Sequence, residues 1–328
     1  MLARRRRLLG FFLGTLSAVA HPLRAQQPKV YRVGFLESAP MAANEGNLAA
    51  FRKGLAELGF VEGRNLLIEY RSAEGRTERF PELATELVRM KIDVFVIRGT
   101  QAAQAAKNAS ARIPIVAAAV GDPVASGLVK SLSRPGGNFT GLNSFASEIW
   151  GKRVQLLRQA LPLVTRIGRL DNPDNPLVPP LAAEINGAAR SLGAETRLFE
   201  LRRREDLESV FDAALTWRAG ALLVGIDAVA QAHRKSIVEL AAKHRLPAMY
   251  ASREFVEAGG LMSYGVSYSG LYYRAANFVG RILKGAKPGD LPIEQPTKLE
   301  LVINRKTAKV LGIRIPLELI GRADEVID

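Results

Sequence analysis

One pattern constrains the fold of this chain more than any other. Short segments that are apolar almost throughout alternate with amphipathic helical stretches from Tyr31 onward: YRVGFL (31–36), DVFVIRG (93–99), IPIVAAAV (113–120), ALLVGID (221–227) and LPAMYAS (246–252). A strand with one wet face alternates apolar and polar residues, whereas a strand covered on both faces does not, so these segments belong in parallel sheets layered by helices. The stretches between them carry the helical period. Leu48, Phe51, Leu55 and Leu58 lie on one stripe before Gly59 stops it. The same reasoning predicts helices over Asn47–Leu58, Pro81–Met90, Asp122–Leu132, Ile149–Ala160, Leu181–Leu192, Glu205–Leu215, Val229–His244 and Gly270–Lys284. A Pro135-Gly136-Gly137 turn and the strand FTGLNSF separate two such series, each read as a doubly wound α/β unit of four or five strands. The tail adds a linker at 287–292, a strand over Leu299–Arg305 and a short helix over Lys306–Leu311.

The first 25 residues read as a segment outside the fold: Arg4 to Arg7 form a basic start, Leu8 to Ala20 an apolar stretch of 13, and Leu23-Arg24-Ala25 a cleavage site. That stretch is shorter than the ~20 residues a membrane helix needs, so the segment predicts an exported, soluble protein, with the general secretory and twin-arginine routes both open. The remaining length suits two domains. The chain has no cysteine, which excludes disulfides, thiolate catalysis and Cys-ligated metal. Its formal charge of +14 falls to +9 without the five arginines of the first 25 residues. What is left is scattered, and Arg202-Arg203-Arg204 runs directly into Glu205-Asp206, the pattern of a solvated helix start rather than a nucleic-acid patch.

In open α/β sheets a ligand lies beyond the carboxyl ends of the strands. Those positions hold Ser38, Thr100 and Gly121-Asp122-Pro123 in the first series, and Asn172, Asn175, Asp227, Tyr250 and Arg253 in the second. Thr100, Asp122 and Asp227 also fit helix N-caps, with Pro123 at the first helical position. As two facing sets they suit a small solute, with Asp122 or Asp227 answering an ammonium, and Arg253 or helix N-termini a carboxylate. No catalytic set emerges. The three histidines are His21, in the leader, and His233 and His244 on one predicted helix; no nucleophile elbow, zinc motif or phosphate loop occurs, and no metal or cofactor is expected.

Taken together, RVGFLES, FRKGLAELGFVEGRN, VFVIRGT, GDPVASGLV, RPGGNFTGL, FVEAGGLMSYG and KLELVINRKTAKVLGI resemble the solute-binding proteins of ABC importers related to tryptophan- and aromatic-amino-acid-binding proteins. The resemblance implies the type I periplasmic-binding fold: two Rossmann-like lobes, each a doubly wound parallel sheet, joined by a three-crossing hinge near Asn143–Glu148, Gly265–Ser269 and Leu291–Thr297. Lobe one would comprise 29–146 plus 266–292, and lobe two 147–265 plus 293–328. The same ten strand-end residues would then hold the ligand, an amino acid or related compound. The implied protein is a non-enzymatic periplasmic monomer that delivers its ligand to a membrane permease and its ATPase. An exported sensor of the same fold and a Rossmann-type enzyme are the alternatives. Gln101, where many relatives carry proline, and the proline-rich DNPDNPLVPP depart from the family pattern and leave the ligand open beyond aromatic amino acids.

Overall fold

The structure, a computed structural model, describes residues 29–144, 149–225, 227–296 and 298–328. The predicted leader, 1–25, and residues 145–148 of the first predicted crossing lie outside the described residues.

The first unit alternates β1 (Tyr31–Glu37), α1 (Glu45–Glu57), β2 (Leu66–Ser72), α2 (Phe80–Arg89), β3 (Val94–Arg98), α3 (Thr100–Ala109), β4 (Ile115–Val120) and β5 (Phe139–Asn143). The strands form one parallel sheet in the order β2-β1-β3-β4-β5. Its middle strands are buried at every position, which is the physical content of their continuous apolar runs.

The second unit runs α4 (Ile149–Ala160), β6 (Arg166–Asp171), α5 (Val178–Ser191), β7 (Glu195–Glu200), α6 (Leu207–Thr216), β8 (Ala221–Val224), α7 (Ala228–Ala232), α8 (Arg234–Lys243), β9 (Ala248–Tyr250), α9 (Arg253–Glu257) and β10 (Met262–Val266). The chain then crosses back through α10 (Tyr268–Leu283), which packs on α1. The approach is close: a Cβ on Gly54 would stand 2.8 Å from Ala276 Cβ. The tail returns as β11 (Leu299–Asn304), α11 (Arg305–Leu311), α12 (Leu317–Gly321) and β12 (Glu325–Ile327), giving the sheet order β12-β11-β10-β9-β8-β6-β7. Each sheet has an apolar core on both faces.

Four details correct the sequence reading. The helix expected over Asp122–Leu132 is absent. Asp122 Oδ1 accepts the Val124 and Ala125 N–H groups at 3.0 Å, but Gly127 at φ +70° ends the turn after one round. The helix expected over Val229–His244 breaks at His233 into α7 and α8. β11 runs antiparallel to β10, because α10, the helix between them, packs on the first unit and the chain re-enters this sheet from that side, and the sheet is therefore mixed at that edge and larger than five strands. Ile293 and Glu294, placed by sequence at the start of 293–328, belong with the first sheet: Ile293 is in its core, and Glu294 exchanges backbone hydrogen bonds with Gly141 (3.0 Å) and Asn143 (2.8 Å).

Candidate functional site

A doubly wound sheet opens a crevice where successive connections leave in opposite directions. In the first sheet that point lies between β1 and β3, and in the second between β6 and β8. The carboxyl ends there carry Glu37-Ser38, Arg98-Gly99-Thr100, Asp171-Asn172 and Asp227. The two ends face each other across a cavity offering about 80 Å³ to water centres. One water needs ~10–15 Å³ on that measure, so the space fits a solute of amino-acid size.

The first unit lines the cavity with Ser38, Arg98, Thr100 and Gly121, and the second with Asp171, Asn175, Asp227 and Gln231. Phe80, Trp150, Leu177, Val178 and Leu181 form an apolar wall. Gly121 is needed for this fit, since a Cβ there would lie 1.9 Å from Leu177 Cδ1 of the opposite unit.

Asp227 N-caps α7, as the sequence predicts. Its Oδ1 accepts the Val229 N–H at 2.8 Å, and its Oδ2 accepts from Asn175 Nδ2 at 3.2 Å. Burial, with Asp171 adding repulsion, pushes its carboxyl up to about 6 against the pull of hydrogen bonds from Val229, Asn175 and Asn172. Asp171 is also raised by burial, although Arg169, at 3.1 Å, and Arg153 hold it back. Arg153 is fully buried behind Trp150, its guanidinium carbon 4.6 Å from the ring centroid. It donates to the carbonyls of Tyr264 (2.7 Å) and Ala251 (3.2 Å). Burial presses its own titration down to about 10.

A charged network lies against the first unit's side of the cavity. Arg98 stacks on Tyr268, 3.7 Å from guanidinium carbon to ring centroid, and stands 3.6 Å from Glu254 of the second unit. Burial opposes ionisation of Glu254, but Arg98, Ser252 and Asn47 outweigh it and hold its carboxyl below the ordinary range. Glu37, wholly buried, is pushed by burial up to about 7 despite Arg98, the Ser38 N–H and Asn44. Asn47 donates to Glu254 at 3.3 Å, and Arg234 donates to the Ala43 carbonyl, so further polar contacts span the units.

Five of the ten residues singled out from sequence line this cavity: Ser38, Thr100, Gly121, Asn175 and Asp227. Asn172 is buried immediately behind, against Asp227. The other four are placed elsewhere. Asp122 and Pro123 turn away into their capped loop, and Tyr250 is buried in the second unit's core, stacked 4.9 Å from Phe255. Arg253 pairs with Glu257 (2.9 Å), Glu300 (3.6 Å) and Glu325 (2.9 Å). Asp122 follows β4, and Tyr250 and Arg253 end or follow β9, each one strand beyond a switch point.

The sequence reading passed over Arg98, Gln231 and Trp150. Arg98 had a visible signal, the one charge before Gly99-Thr100 in an otherwise apolar strand. Gln231 and Trp150 lie inside helical patterns and had none. His233 falls at the α7–α8 break beside Gly75, and His244 stacks on Phe211 at 5.9 Å. Among the described residues, no group of three or more His, Asp or Glu is arranged to hold a metal. None of the described helices is long and apolar enough to cross a membrane.

Comparison with known proteins agrees with this architecture. The tyrosine-binding protein of Clostridioides difficile strain R20291 is 27% identical over 264 residues, covering 80% of this chain and 76% of that protein. A conserved domain protein from Vibrio cholerae superposes with a TM-score of 0.83 at 30% identity, over 91% of this chain and all of that one. A Streptococcus pneumoniae ABC domain in complex with L-tryptophan gives 0.82 at 27% identity, over the same shares. A ligand-free, open substrate-binding protein from Clostridium difficile gives 0.63 at 25% identity, over 91% of this chain and 99% of that one. The model of the ABC transporter substrate-binding protein family matches residues 38–327, and the chain belongs to that family.

Proposed function

We propose that this protein is the exported capture component of an ABC importer and that it encloses an aromatic α-amino acid between its two units. The observation that carries the reading is the cavity at the paired switch points, which joins an apolar wall including Phe80 and Trp150 to the buried carboxylates Asp171 and Asp227. An aromatic ring suits the first, and an ammonium suits the second. The relatives that bind tyrosine or are complexed with L-tryptophan support the same class.

Closure of the lobes about the three crossings accompanies capture. The chain superposes better on the L-tryptophan complex than on the open, ligand-free relative, at comparable identity. The contacts of Arg98, Asn47 and Leu177 across the units also belong to a closed form. The moving bodies are 29–146 plus 266–292, extended to Glu294, and the remainder of the mature chain. Ser38, Thr100, Gly121, Asn175 and Asp227 contact the solute, and the closed form is what a membrane permease and its ATPase recognise. The mature protein works in the periplasm as a monomer after removal of residues 1–25, with no catalytic step.

Thermal unfolding of mature protein with L-tryptophan, L-tyrosine and L-phenylalanine tests the reading. A micromolar binder at ~100-fold excess over Kd adds about 2.7 kcal/mol of stability. The absence of a melting shift with all three overturns the ligand class.

A further inference from the structure

The short helix α7, which Asp227 caps and on which Gln231 sits, ends on His233, and that ring touches the other unit. A Cβ on Gly75, in the loop after β2, would stand 2.6 Å from His233 Nε2 and 3.1 Å from Ala232 Cβ. Gly75 is itself tied to the cavity rim, because its N–H donates to the Ser38 carbonyl at 3.1 Å. The contact therefore joins the backbone segment that supplies Ser38 to the one that supplies Asp227 and Gln231. It exists only while the two units stand this close.

The ring meets Gly75 with a nitrogen and finds no acceptor there. Nε2 faces the α-hydrogen that such a Cβ would replace, and the His233 side chain caps no N–H of α8. A neutral imidazole fits, since its bare nitrogen can lie against a C–H group. An imidazolium carries N–H on both nitrogens, so protonation would press an N–H against carbon with nothing to receive it. The charges around the ring agree with this. The groove outside it offers about 630 Å³ to water centres, so solvent protons reach the half-buried ring. Glu74, Arg76 and Glu78 line that groove from the first unit, and Arg202–Glu205 from the second. Arg76 is held by Glu74 at 3.7 Å, Arg202 by Glu200 at 3.0 Å and Arg203 by Asp206 at 3.5 Å. Arg204 is exposed and makes no ion pair with another described residue. On the ring's own element, Arg234 follows and is turned to the carbonyls of Ala43 and Gln231. Partial burial, and then the Arg204 charge, hold the His233 titration below its ordinary value against the pull of Glu205.

We infer that His233 is a proton-sensitive latch on lobe closure: neutral, it packs on Gly75 and lets the lobes shut on the solute; protonated, it holds them apart and lets the solute go. The inference rests on the proposed capture by closure and adds the condition that reverses it. In the open form the ring leaves Gly75 and titrates near its ordinary value of ~6.5. As pH falls through that value the open form takes the proton and the closed form does not, so affinity is full above it and weakens on the acid side.

The chain has three histidines, and His21 lies in the leader, so His233 and His244 are the two imidazoles of the mature protein. Their C–H signals can be followed by NMR as pH is varied, and H233Q or H244Q assigns the pair. Saturation with L-tryptophan should lower the His233 midpoint by ~0.5 pH unit or more, while that of His244, stacked on Phe211 inside the second unit, should stay in place. By linkage, the ratio of wild-type to H233Q affinity in calorimetry should fall ~3-fold or more from about pH 7.5 to about pH 5. Asp227 titrates in both proteins and cancels from that ratio. A His233 midpoint that ligand leaves unchanged, or a ratio constant across pH, reduces the ring to a packing contact and overturns the inference while the amino-acid reading stands. If calorimetry detects no binding of L-tryptophan, L-tyrosine or L-phenylalanine, the ligand class itself falls, and the latch falls with it.

Discussion

Replacing Asp227 by Asn should stabilise the empty protein and weaken the loaded one. The carboxyl titrates near 6 rather than 3.8 because burial disfavours its charge. A shift of ~2 units corresponds to about 3 kcal/mol of destabilisation when the group is ionised. Between those two pH values the folded, empty protein binds more protons at this site than the unfolded chain. The contribution of Asp227 to stability is therefore full at low pH, falls as pH rises through about 6, and stays low above. Asn removes the charge and keeps the oxygen that caps Val229, but it turns an amide toward Asn175, whose own oxygen is engaged by the Leu177 N–H at 3.1 Å. That lost hydrogen bond returns ~1 kcal/mol, leaving a net gain of ~1–2 kcal/mol near pH 7.5.

Ligand affinity has the opposite dependence. An ammonium needs the ionised carboxylate, so wild-type affinity should weaken ~10-fold from about pH 7.5 to about pH 5, with protons released on binding near pH 6. In D227N that component should disappear, leaving only what Glu37, His233 and the Arg98 network contribute. Denaturant unfolding of the empty protein and calorimetric titration with L-tryptophan in buffers of differing ionisation enthalpy measure both arms. A D227N protein that melts lower when empty yet binds with unchanged affinity and pH dependence would refute the reasoning and reduce Asp227 to a helix cap.

Other substitutions separate site from scaffold. Asp122→Ala removes the acceptor for two loop N–H groups and should cost ~1 kcal/mol in chemical denaturation while leaving ligand affinity within twofold. Gly121→Val places side-chain atoms where Leu177 of the opposite lobe packs; affinity should fall at least ~10-fold with little change in the melting of empty protein, and unchanged ligand-induced compaction in small-angle scattering would contradict this. Arg253→Ala breaks three partly exposed ion pairs on one lobe and should cost at most ~1–2 kcal/mol, weakening as salt rises, with no effect on calorimetric affinity.

The positions of the strands along the chain and their buried character were legible because a two-sided burial requirement leaves an unbroken apolar run, as in Val94–Ile97 and Ile115–Val120. The cap at Asp227 was equally legible, since capping depends on three adjacent residues. The helix expected after Asp122 failed for a local reason of the opposite kind. One cap and one proline start a turn, but Gly127 in the left-handed region ends it.

The sequence by itself determined which residues stand at strand ends, because strand and helix periods are local and short-ranged. Which strand ends face the cavity was decided only by tertiary structure. That choice depends on where the connections reverse, between β1 and β3 and between β6 and β8, and reversal is a property of sheet order rather than of any segment. Arg98 and Gln231 illustrate the difference: one ends a strand and the other lies inside a helix, 133 residues apart in sequence, and only the packing of two lobes brings both into the lining of the same cavity.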